Sequence, residues 1–204
     1  MHIAITGNIG AGKTTLAQLL ATHYGWDVLY EAVEGNPYLA DFYGDMARWS
    51  FNLQIYFLNS RFEQVQKIRE SGQSIVQDRT IYEDAYIFAK NLFDTRKMLP
   101  RDYETYLSLF SNMVGLVRPP DLMIYLRADL PKLTRQIRKR GRDFEQAISP
   151  DYLASLNNLY ETFAQSYSAG ELLIIDVNDL DYANQPADLA HVIGLIDAQL
   201  AVKA

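Results

Sequence analysis

The residues with the clearest chemistry in this sequence form one glycine-rich stretch near its amino terminus. They match the pattern G-x-x-x-x-G-K-[ST] in full and are Gly7, Asn8, Ile9, Gly10, Ala11, Gly12, Lys13 and Thr14. An apolar run precedes the stretch and a helical pattern follows it, so backbone N–H groups and a helix N-terminus would converge on a phosphate. Lys13 would reach the β- and γ-phosphates of a nucleoside triphosphate, and the Thr14 hydroxyl would ligate Mg²⁺. We include Thr15 in this nucleotide-binding stretch.

Two acidic residues follow predicted strands, at the sheet edge where parallel α/β folds bind ligands. Asp78 ends the third strand, where it can hold Mg²⁺, while Arg79 can neutralise charge between donor and acceptor. A surface ion pair between the two residues is the alternative. Glu31 follows the second strand and can accept the proton of an acceptor hydroxyl. Glu34 is its rival but lies further from the strand end, and a solvated loop charge is the alternative for both.

An aromatic-rich stretch predicts an acceptor pocket. Residues 38–62 hold eight of the 25 aromatic residues, most of which we expect to pack in the core or an interface. Gln54 and Arg61 lie seven residues apart, on one face of a helix, and Asp84 and Phe88 lie one turn apart on another. An amide, a guanidinium, a carboxylate and aromatic rings can together hold a planar base.

A basic segment stands out from an acidic chain. Residues 127–142 carry seven Lys or Arg residues and one Asp, a net charge of +6, so the rest of the chain carries −12. We predict an arginine-rich lid at about 138–149, in which basic side chains beside Gly141 close over a transferring phosphoryl group and exclude water. Lys132 and Lys139 are expected to lie on a solvated helix face.

Short apolar runs alternate with helical patterns and predict a P-loop NTPase-type α/β fold with a five-stranded parallel sheet and helices on both faces. The predicted strands are His2–Thr6, Asp27–Tyr30, Ser74–Gln77, Leu122–Leu126 and Leu172–Asp176. The predicted helices are Lys13–Tyr24, Met46–Glu70, Thr80–Asn91, Pro100–Leu116, Pro131–Arg138, Pro150–Tyr167 and Pro186–Val202. Without a repeat or linker, residues 1–204 are expected to form a single domain.

Composition excludes several classes of protein. The net charge of −6 disfavours general nucleic-acid binding, and the absence of cysteine rules out disulfides, thiolate zinc sites and thiol nucleophiles. Neither a signal-peptide pattern nor a run long enough to span a membrane occurs, so we expect a cytoplasmic protein without a membrane partner. The guanine-reading pattern Asn-Lys-x-Asp is also missing, which argues against a GTPase switch.

The residues converge on a known family, because the chain resembles the deoxynucleoside kinases, specifically the bacterial deoxyadenosine/deoxyguanosine kinase branch. The resemblance covers nearly the whole chain. It is carried by Gly7–Thr14, Tyr30–Leu39, Trp49–Gln54, Asp78–Asp84, Ile87–Ala89, Arg140–Gln146 and Asp179–Tyr182.

The resemblance implies residue roles on the acceptor side. Glu31 matches the general base on the 5′-hydroxyl, and Tyr43 and Glu145 match the pair that binds the 3′-hydroxyl. The residues that read or stack on the base match Gln54, Arg61, Asp84 and Phe88. A 2′-deoxy sugar is favoured if Tyr43 packs over the sugar ring.

The resemblance also implies roles on the donor side. Asp78 and Arg79 match the acid–arginine pair near the metal and phosphates, and Arg140 and Arg142 match the lid arginines. The segment beside the donor adenine corresponds to Asp179, Asp181 and Tyr182. ATP and Mg²⁺ are therefore the expected donor and metal.

The sequence departs from the family pattern near the acceptor. Ala32 stands where many members have proline, and Ala85 stands where several animal members have arginine, whereas Asp78 replaces their Glu. The first two departures bear on base preference more than on reaction type.

We therefore expect ATP-dependent 5′-phosphorylation of a deoxynucleoside, deoxyadenosine first, by a homodimer. One alternative is a thymidylate-type monophosphate kinase, which Glu31 disfavours because a carboxylate repels an incoming phosphate. The other is a P-loop binding module without turnover.

Overall fold

A five-stranded parallel sheet forms the centre of the protein in a computed structural model that describes residues 1–33, 35–142, 145 and 148–201. Its strands are β1 (His2–Thr6), β2 (Asp27–Leu29), β3 (Ile75–Asp78), β4 (Leu122–Arg127) and β5 (Leu172–Asp176). Their order is β2-β3-β1-β4-β5 and every pairing is parallel. The predicted sheet is confirmed, with bounds that differ by one residue in β2, β3 and β4.

Helices cover both faces of this sheet. They are α1 (Lys13–Tyr24), α2 (Leu39–Gly44), α3 (Met46–Ser71), α4 (Ile81–Glu83), α5 (Lys90–Asp94), α6 (Pro100–Val114), α7 (Leu130–Arg140), α8 (Pro150–Ser166) and α9 (Pro186–Ala201). A π-helical segment, Asp84–Ala89, joins α4 to α5. Proline in the first turn of α6, α7 and α8 marks these starts, since its missing N–H costs no hydrogen bond there.

Apart from shifts of one or two residues at the ends of α3, α6, α7 and α8, the helices differ from the prediction in two places. The single helix predicted over Thr80–Asn91 is a helix–π–helix unit that runs on to Asp94, because a π turn breaks the 3.6-residue period on which the prediction rests. The helix α2 was missed, since six residues are too few for a periodic signal. The predicted end of the last helix, Val202, lies outside the described residues.

The core has two parts, one on each face of the sheet. One packs α1 and α9 against β1 and β4 and includes Leu16, Ile124 and Ile196. The larger part packs α3, α6, α8 and the π-helical segment on the opposite face. The adjacent strands β1 and β4 are almost fully buried because helices cover them from both sides.

The carboxyl ends of β1, β2 and β3 lie side by side, since the strands are parallel and adjacent in the sheet. The register pairs Ile5 of β1 with Asp78 of β3, and Leu29 of β2 with Gln77. The segments that follow the three strands therefore meet at one edge. Across the described ranges, no helix combines the length and apolar character needed to cross a membrane.

Candidate active site

A cavity of about 650 Å³ opens at the carboxyl edge of the sheet. It gathers most of the side chains that the sequence singles out. Those that line it are Ile9, Gly10, Gly12, Lys13, Thr14, Thr15, Glu31, Tyr43, Gln54, Asp78, Arg79, Asp84, Phe88, Arg140, Arg142 and Glu145. The candidate donor and acceptor residues thus share one enclosed space.

The glycine-rich loop has the backbone that phosphate binding requires. Gly12 has a φ of 96°, and a Cβ there would collide with the Tyr182 hydroxyl. The Lys13 ammonium donates to the carbonyl of Asn8 at 3.0 Å and therefore lies across the loop. Burial lowers the pKa of Lys13 to about 8, with the positive charge of Arg79 acting in the same direction. A bound phosphate would add negative charge beside this buried ammonium and stabilise its charged form.

Helix α8 contacts the phosphate loop through Asn8. The Asn8 amide donates to the Asn157 side chain at 2.8 Å and to the Leu153 carbonyl at 3.0 Å. The Asn157 amide in turn donates to the carbonyl of Ala128 at 3.0 Å. The loop is thus connected through α8 to the segment after β4.

Thr14 and Asp78 form a pair suited to Mg²⁺. The Thr14 hydroxyl donates to Oδ2 of Asp78 at 2.5 Å, while the buried Oδ1 of Asp78 makes no hydrogen bond. A hydroxyl and a carboxylate are the hard oxygen ligands that Mg²⁺ takes from proteins. The described residues contain no cluster of three His, Cys, Asp or Glu side chains. An ion held by Thr14 and Asp78 would take its other ligands from phosphates and water.

Glu31 is paired with two arginines. Its Oε1 lies 2.8 Å from Nε of Arg79 and 3.3 Å from Nη2 of Arg61. Burial alone would raise the pKa of Glu31, but the charges of Arg79, Arg61 and Lys13 outweigh it and lower that pKa. The Glu31 side chain is 21% exposed, against 4% or less for both arginines, so this carboxylate is the most accessible member of the cluster. Its rival Glu34 lies outside the described residues.

Arg79 is held in a strained conformation. Its φ of 76° lies in the left-handed region, which costs energy in a residue with a side chain. Nη1 of Arg79 donates to Oε1 of Glu83 at 3.2 Å and to the Tyr160 hydroxyl at 3.0 Å. The guanidinium also lies 4.6 Å from the centre of the Phe88 ring.

Sequence reasoning missed Glu83 and Tyr160. The pattern Thr80-x-x-Glu83 at the start of the predicted helix is a capping-box signal that could have identified the glutamate as a residue fixed in the first turn. Nothing local points to Tyr160, because it approaches Arg79 from a helix 81 residues further along the chain.

Two residues that line the cavity carry buried polar atoms without a hydrogen bond. Oε1 of Gln54 and Oδ2 of Asp84 are buried but make no hydrogen bond. Burial raises the pKa of Asp84 to about 7, against the lowering effect of Arg61 and Arg79. A carboxyl with that pKa can donate or accept a hydrogen bond near neutral pH, as the amide can.

Arg61 does not itself line the cavity. It is fully buried, with Nε 3.7 Å from Asp84 and Nη2 3.3 Å from Glu31. Arg61 therefore forms ion pairs with both carboxyl groups from outside the cavity lining. Phe88 presents its ring to the cavity from the same π-helical segment that carries Asp84.

Arg140 and Arg142 converge on Glu145 at the cavity edge. Arg140 donates to Glu145 through Nε at 2.9 Å and Nη2 at 2.6 Å, and Arg142 donates at 3.4 Å. Tyr43 also lines the cavity, and its pKa is raised mainly by burial, with Tyr152 and Glu145 adding to the effect. Tyr152 is a further lining residue that sequence reasoning missed. Four residues of the predicted lid lie outside the described residues, namely Asp143, Phe144, Gln146 and Ala147.

The segment predicted to lie beside the donor adenine, Asp179–Tyr182, contacts the phosphate loop through Tyr182. The buried Tyr182 hydroxyl donates to the carbonyl of Ala11 at 3.3 Å. Asp179 and Asp181 are exposed and do not line the cavity. The Asp181 carboxylate accepts from Asn184 at 2.9 Å, which closes the turn that precedes α9.

The prediction that Lys132 is solvated is wrong. Only 7% of Lys132 is exposed, and its ammonium donates to the carbonyls of Val177, Asn178 (3.2 Å) and Leu180 (2.6 Å). Three converging carbonyl oxygens replace water around this charge. Lys132 therefore ties α7 to the loop that leads to Tyr182, whereas Lys139, as predicted, is exposed.

Known proteins resemble this chain over most of its length. A family model described as "Deoxynucleoside kinase" matches residues 3–200. Deoxyadenosine/deoxycytidine kinase of Bacillus subtilis (strain 168) is 40% identical over 196 residues, which are 95% of this chain and 90% of that protein. Deoxyadenosine kinase of Dictyostelium discoideum is 44% identical over 192 residues, 94% of this chain and 77% of that protein.

A solved structure shows the same fold. Deoxyadenosine kinase from M. mycoides, with the products dCMP and a flexible dCDP bound, has a TM-score of 0.86 and 32% identity, over 97% of this chain and 100% of that one. The same enzyme with bound dATP has a TM-score of 0.85 and 32% identity, over 97% of this chain and 99% of that one.

Proposed function

Because the chain belongs to the deoxynucleoside kinase family, we propose that it transfers the γ-phosphoryl group of ATP to the 5′-hydroxyl of a purine deoxynucleoside, with deoxyadenosine as first acceptor. It is a phosphotransferase that binds nucleotides and acts in nucleotide salvage. The observation that carries the proposal is the shared cavity, in which Glu31 faces the same space as Lys13 and Thr14.

In this proposal Glu31 takes the proton of the 5′-hydroxyl. Its lowered pKa keeps it ionised at neutral pH, and the arginines that lower the pKa also hold the carboxylate in place. Lys13 and Arg79 stabilise the charge that spreads over the transferring phosphoryl group. Arg140 and Arg142 belong to the proposed lid. They give up part of their hydrogen bonding to Glu145 and also stabilise the charge on the phosphoryl group.

Thr14 and Asp78 would hold Mg²⁺ beside the phosphate loop. The bound ion would neutralise phosphate charge, and the unpaired Oδ1 of Asp78 supports the assignment. Gly7–Thr15 would bind the triphosphate, with the turn at Asp179, Asp181 and Tyr182 beside the adenine.

The acceptor would occupy the remainder of the cavity. Tyr43 and Glu145 would bind the 3′-hydroxyl, and Phe88 would stack on the base. Gln54 and Asp84 can each donate and accept, which matches the adjacent amino group and ring nitrogen of adenine. Cytosine presents the same adjacent pair, and deoxycytidine appears in the name of the Bacillus relative, so it is the second acceptor to test. Arg61 would act on the base through Asp84 rather than by contact.

The position of Glu31 also disfavours a thymidylate-type kinase. An ionised carboxylate in the cavity that Lys13 also lines would repel a monophosphate acceptor. A binding module without turnover would give Glu31 no chemical task.

We further propose a homodimer. The aromatic residues of α3 are largely used by the core, whereas Leu109 of α6 and Leu116 just beyond it remain 39% and 67% exposed. A second copy would cover these side chains. Sedimentation equilibrium should give a dimer mass, and a monomer at all concentrations would contradict this.

The proposed reaction is tested with the four deoxynucleosides, adenosine and thymidylate as acceptors of phosphate from ATP. Deoxyadenosine should have the highest kcat/KM, and adenosine should react at least about tenfold more slowly if Tyr43 excludes a 2′-hydroxyl. Turnover of thymidylate alone would favour the monophosphate kinase, and ATP binding without any turnover would favour the binding module.

Replacing Lys132 by Met should raise the KM for ATP about tenfold, because the loop that leads to Tyr182 loses a charged donor to three carbonyls. The KM for the deoxynucleoside should stay within about twofold, since Lys132 does not line the cavity. The control is Lys139→Met, an exposed position on the same helix, which should change neither constant. An equal rise in both KM values for Lys132→Met would show general damage to the fold instead.

A further inference from the structure

We propose that Tyr160 is a positioning residue that holds Arg79 for phosphoryl transfer. The inference rests on the proposed role of Arg79 in the reaction. Tyr160 is fully buried in α8 and does not line the cavity, so it acts only through its neighbours. Its hydroxyl accepts from Nη1 of Arg79 at 3.0 Å and donates to Oε1 of Glu83 at 2.7 Å.

Arg79 needs such a support because its backbone is strained and its other partner is reactive. Glu31 pairs with Nε of Arg79 on the cavity side, and this carboxylate must turn to the acceptor hydroxyl when the substrate binds. Tyr160 and Glu83 accept hydrogen bonds from Nη1, at the other end of the guanidinium, and both side chains are buried outside the cavity lining. The arginine therefore keeps its orientation while Glu31 exchanges partners.

The phenol is itself fixed in place. Its ring stacks on Tyr125 with centres 5.7 Å apart and an angle of 8°, and it meets Phe88 edge to face at 6.5 Å. The hydroxyl bonds to Glu83, whose other oxygen accepts from the backbone N–H of Thr80 at 2.9 Å. Each group that holds Arg79 is thus bonded to a further buried group.

The same helix also holds the phosphate loop. Asn157 lies three residues before Tyr160, on the same face of α8, and accepts from the Asn8 amide at 2.8 Å. One rigid face of α8 therefore contacts both the loop that would bind the donor and the arginine that would stand between donor and acceptor. This arrangement sets their separation independently of either substrate.

The test compares two tyrosines of the same stacked pair. Tyr160→Phe removes the hydroxyl on Arg79 and keeps the ring. Tyr125→Phe removes a hydroxyl that points away from the cavity, where it bonds to Glu161 at 2.9 Å. We expect Tyr160→Phe to lower kcat on the order of 10- to 100-fold, with both KM values within about twofold, because a hydrogen bond to a charged group is lost. Tyr125→Phe should leave kcat within about twofold.

A double-mutant cycle separates positioning from general packing. In an Arg79→Lys background, Tyr160→Phe should cost little further kcat, since the contact that it removes is already gone. Retention of kcat in Tyr160→Phe, or equal losses in both backgrounds, would overturn the inference. The proposed function fails separately, if the wild type phosphorylates no deoxynucleoside or if Arg79→Lys is fully active.

A measurement without turnover covers the case in which both variants lose stability. Rotation of the Arg79 guanidinium about its Nε–Cζ bond can be followed by NMR in the substrate-free protein. It should be slow in the wild type and in Tyr125→Phe and faster in Tyr160→Phe. Equal rotation rates in all three proteins would also overturn the inference.

Discussion

Replacing Glu31 by Gln should lower kcat for deoxynucleoside phosphorylation by about 10³-fold, the usual contribution of a general base. The amide has nearly the same shape but cannot take the proton of the 5′-hydroxyl. ATP binding should change by less than about threefold, because the loop and the Thr14–Asp78 pair are untouched. Steady-state kinetics and calorimetry of ATP binding measure the two quantities.

The control for this substitution is Glu70→Gln at the exposed end of α3, which should have wild-type kinetics. A Glu31→Gln enzyme with near wild-type kcat would exclude Glu31 as the base. Loss of ATP affinity together with kcat would instead indicate a structural effect on the loop.

Replacing Lys13 by Met should reduce kcat by about 10²- to 10³-fold, as expected when one preorganised charged donor to a developing negative charge is removed. Lys13 is 6% exposed and already lies across the phosphate loop, so a water molecule in its place would not replace its positive charge beside the phosphates. Rapid-quench measurement of the chemical step gives the loss directly. Lys67→Met, at an exposed position, is the matched control, and similar rates for the two variants would refute the assignment.

The pKa of Lys13 also predicts the alkaline side of the pH profile. Burial lowers this pKa to about 8, so in the free enzyme the ammonium loses its proton as the pH rises through 8. The kcat/KM for ATP should therefore fall above about pH 8, as the cation that binds phosphate is lost. On the acid side, the lowered pKa of Glu31 keeps the base active below the usual range of a glutamate.

The phosphate loop, the sheet and the strand-end acids could be predicted because their signals are local. A glycine pattern between a strand and a helix leaves few other arrangements, and parallel strands bring Glu31 and Asp78 to the same edge whatever the loops do. The grouping of Gln54, Asp84 and Phe88 around one cavity was predicted from their side-chain types, whereas the helix face that pairs Gln54 with Arg61 does not place Arg61 in the cavity lining.

The missed features depend on contacts between distant segments. Tyr160 reaches Arg79 and Lys132 reaches three carbonyls only after the chain has folded, and neither leaves a pattern in its own helix. A lysine among arginines on an amphipathic helix is usually solvated, so Lys132 was assigned to the wrong environment. The π turn at Asp84–Ala89 was hidden because its sequence is compatible with an ordinary helix.

The hydrogen bonds of Lys132 fix the first turn of α7 and so limit which part of the proposed lid can move. Helix α7 is pinned near its first turn by three carbonyl oxygens and ends at Gly141, whose φ of 68° suits glycine. Arg140 is the last residue of the helix, about 12 Å from Lys132 at 1.5 Å per residue. We therefore expect the backbone of α7 to keep its position when the proposed lid closes. In the proposed closure we therefore expect the backbone to turn at Gly141, so that Arg142 moves while Arg140 turns only its side chain.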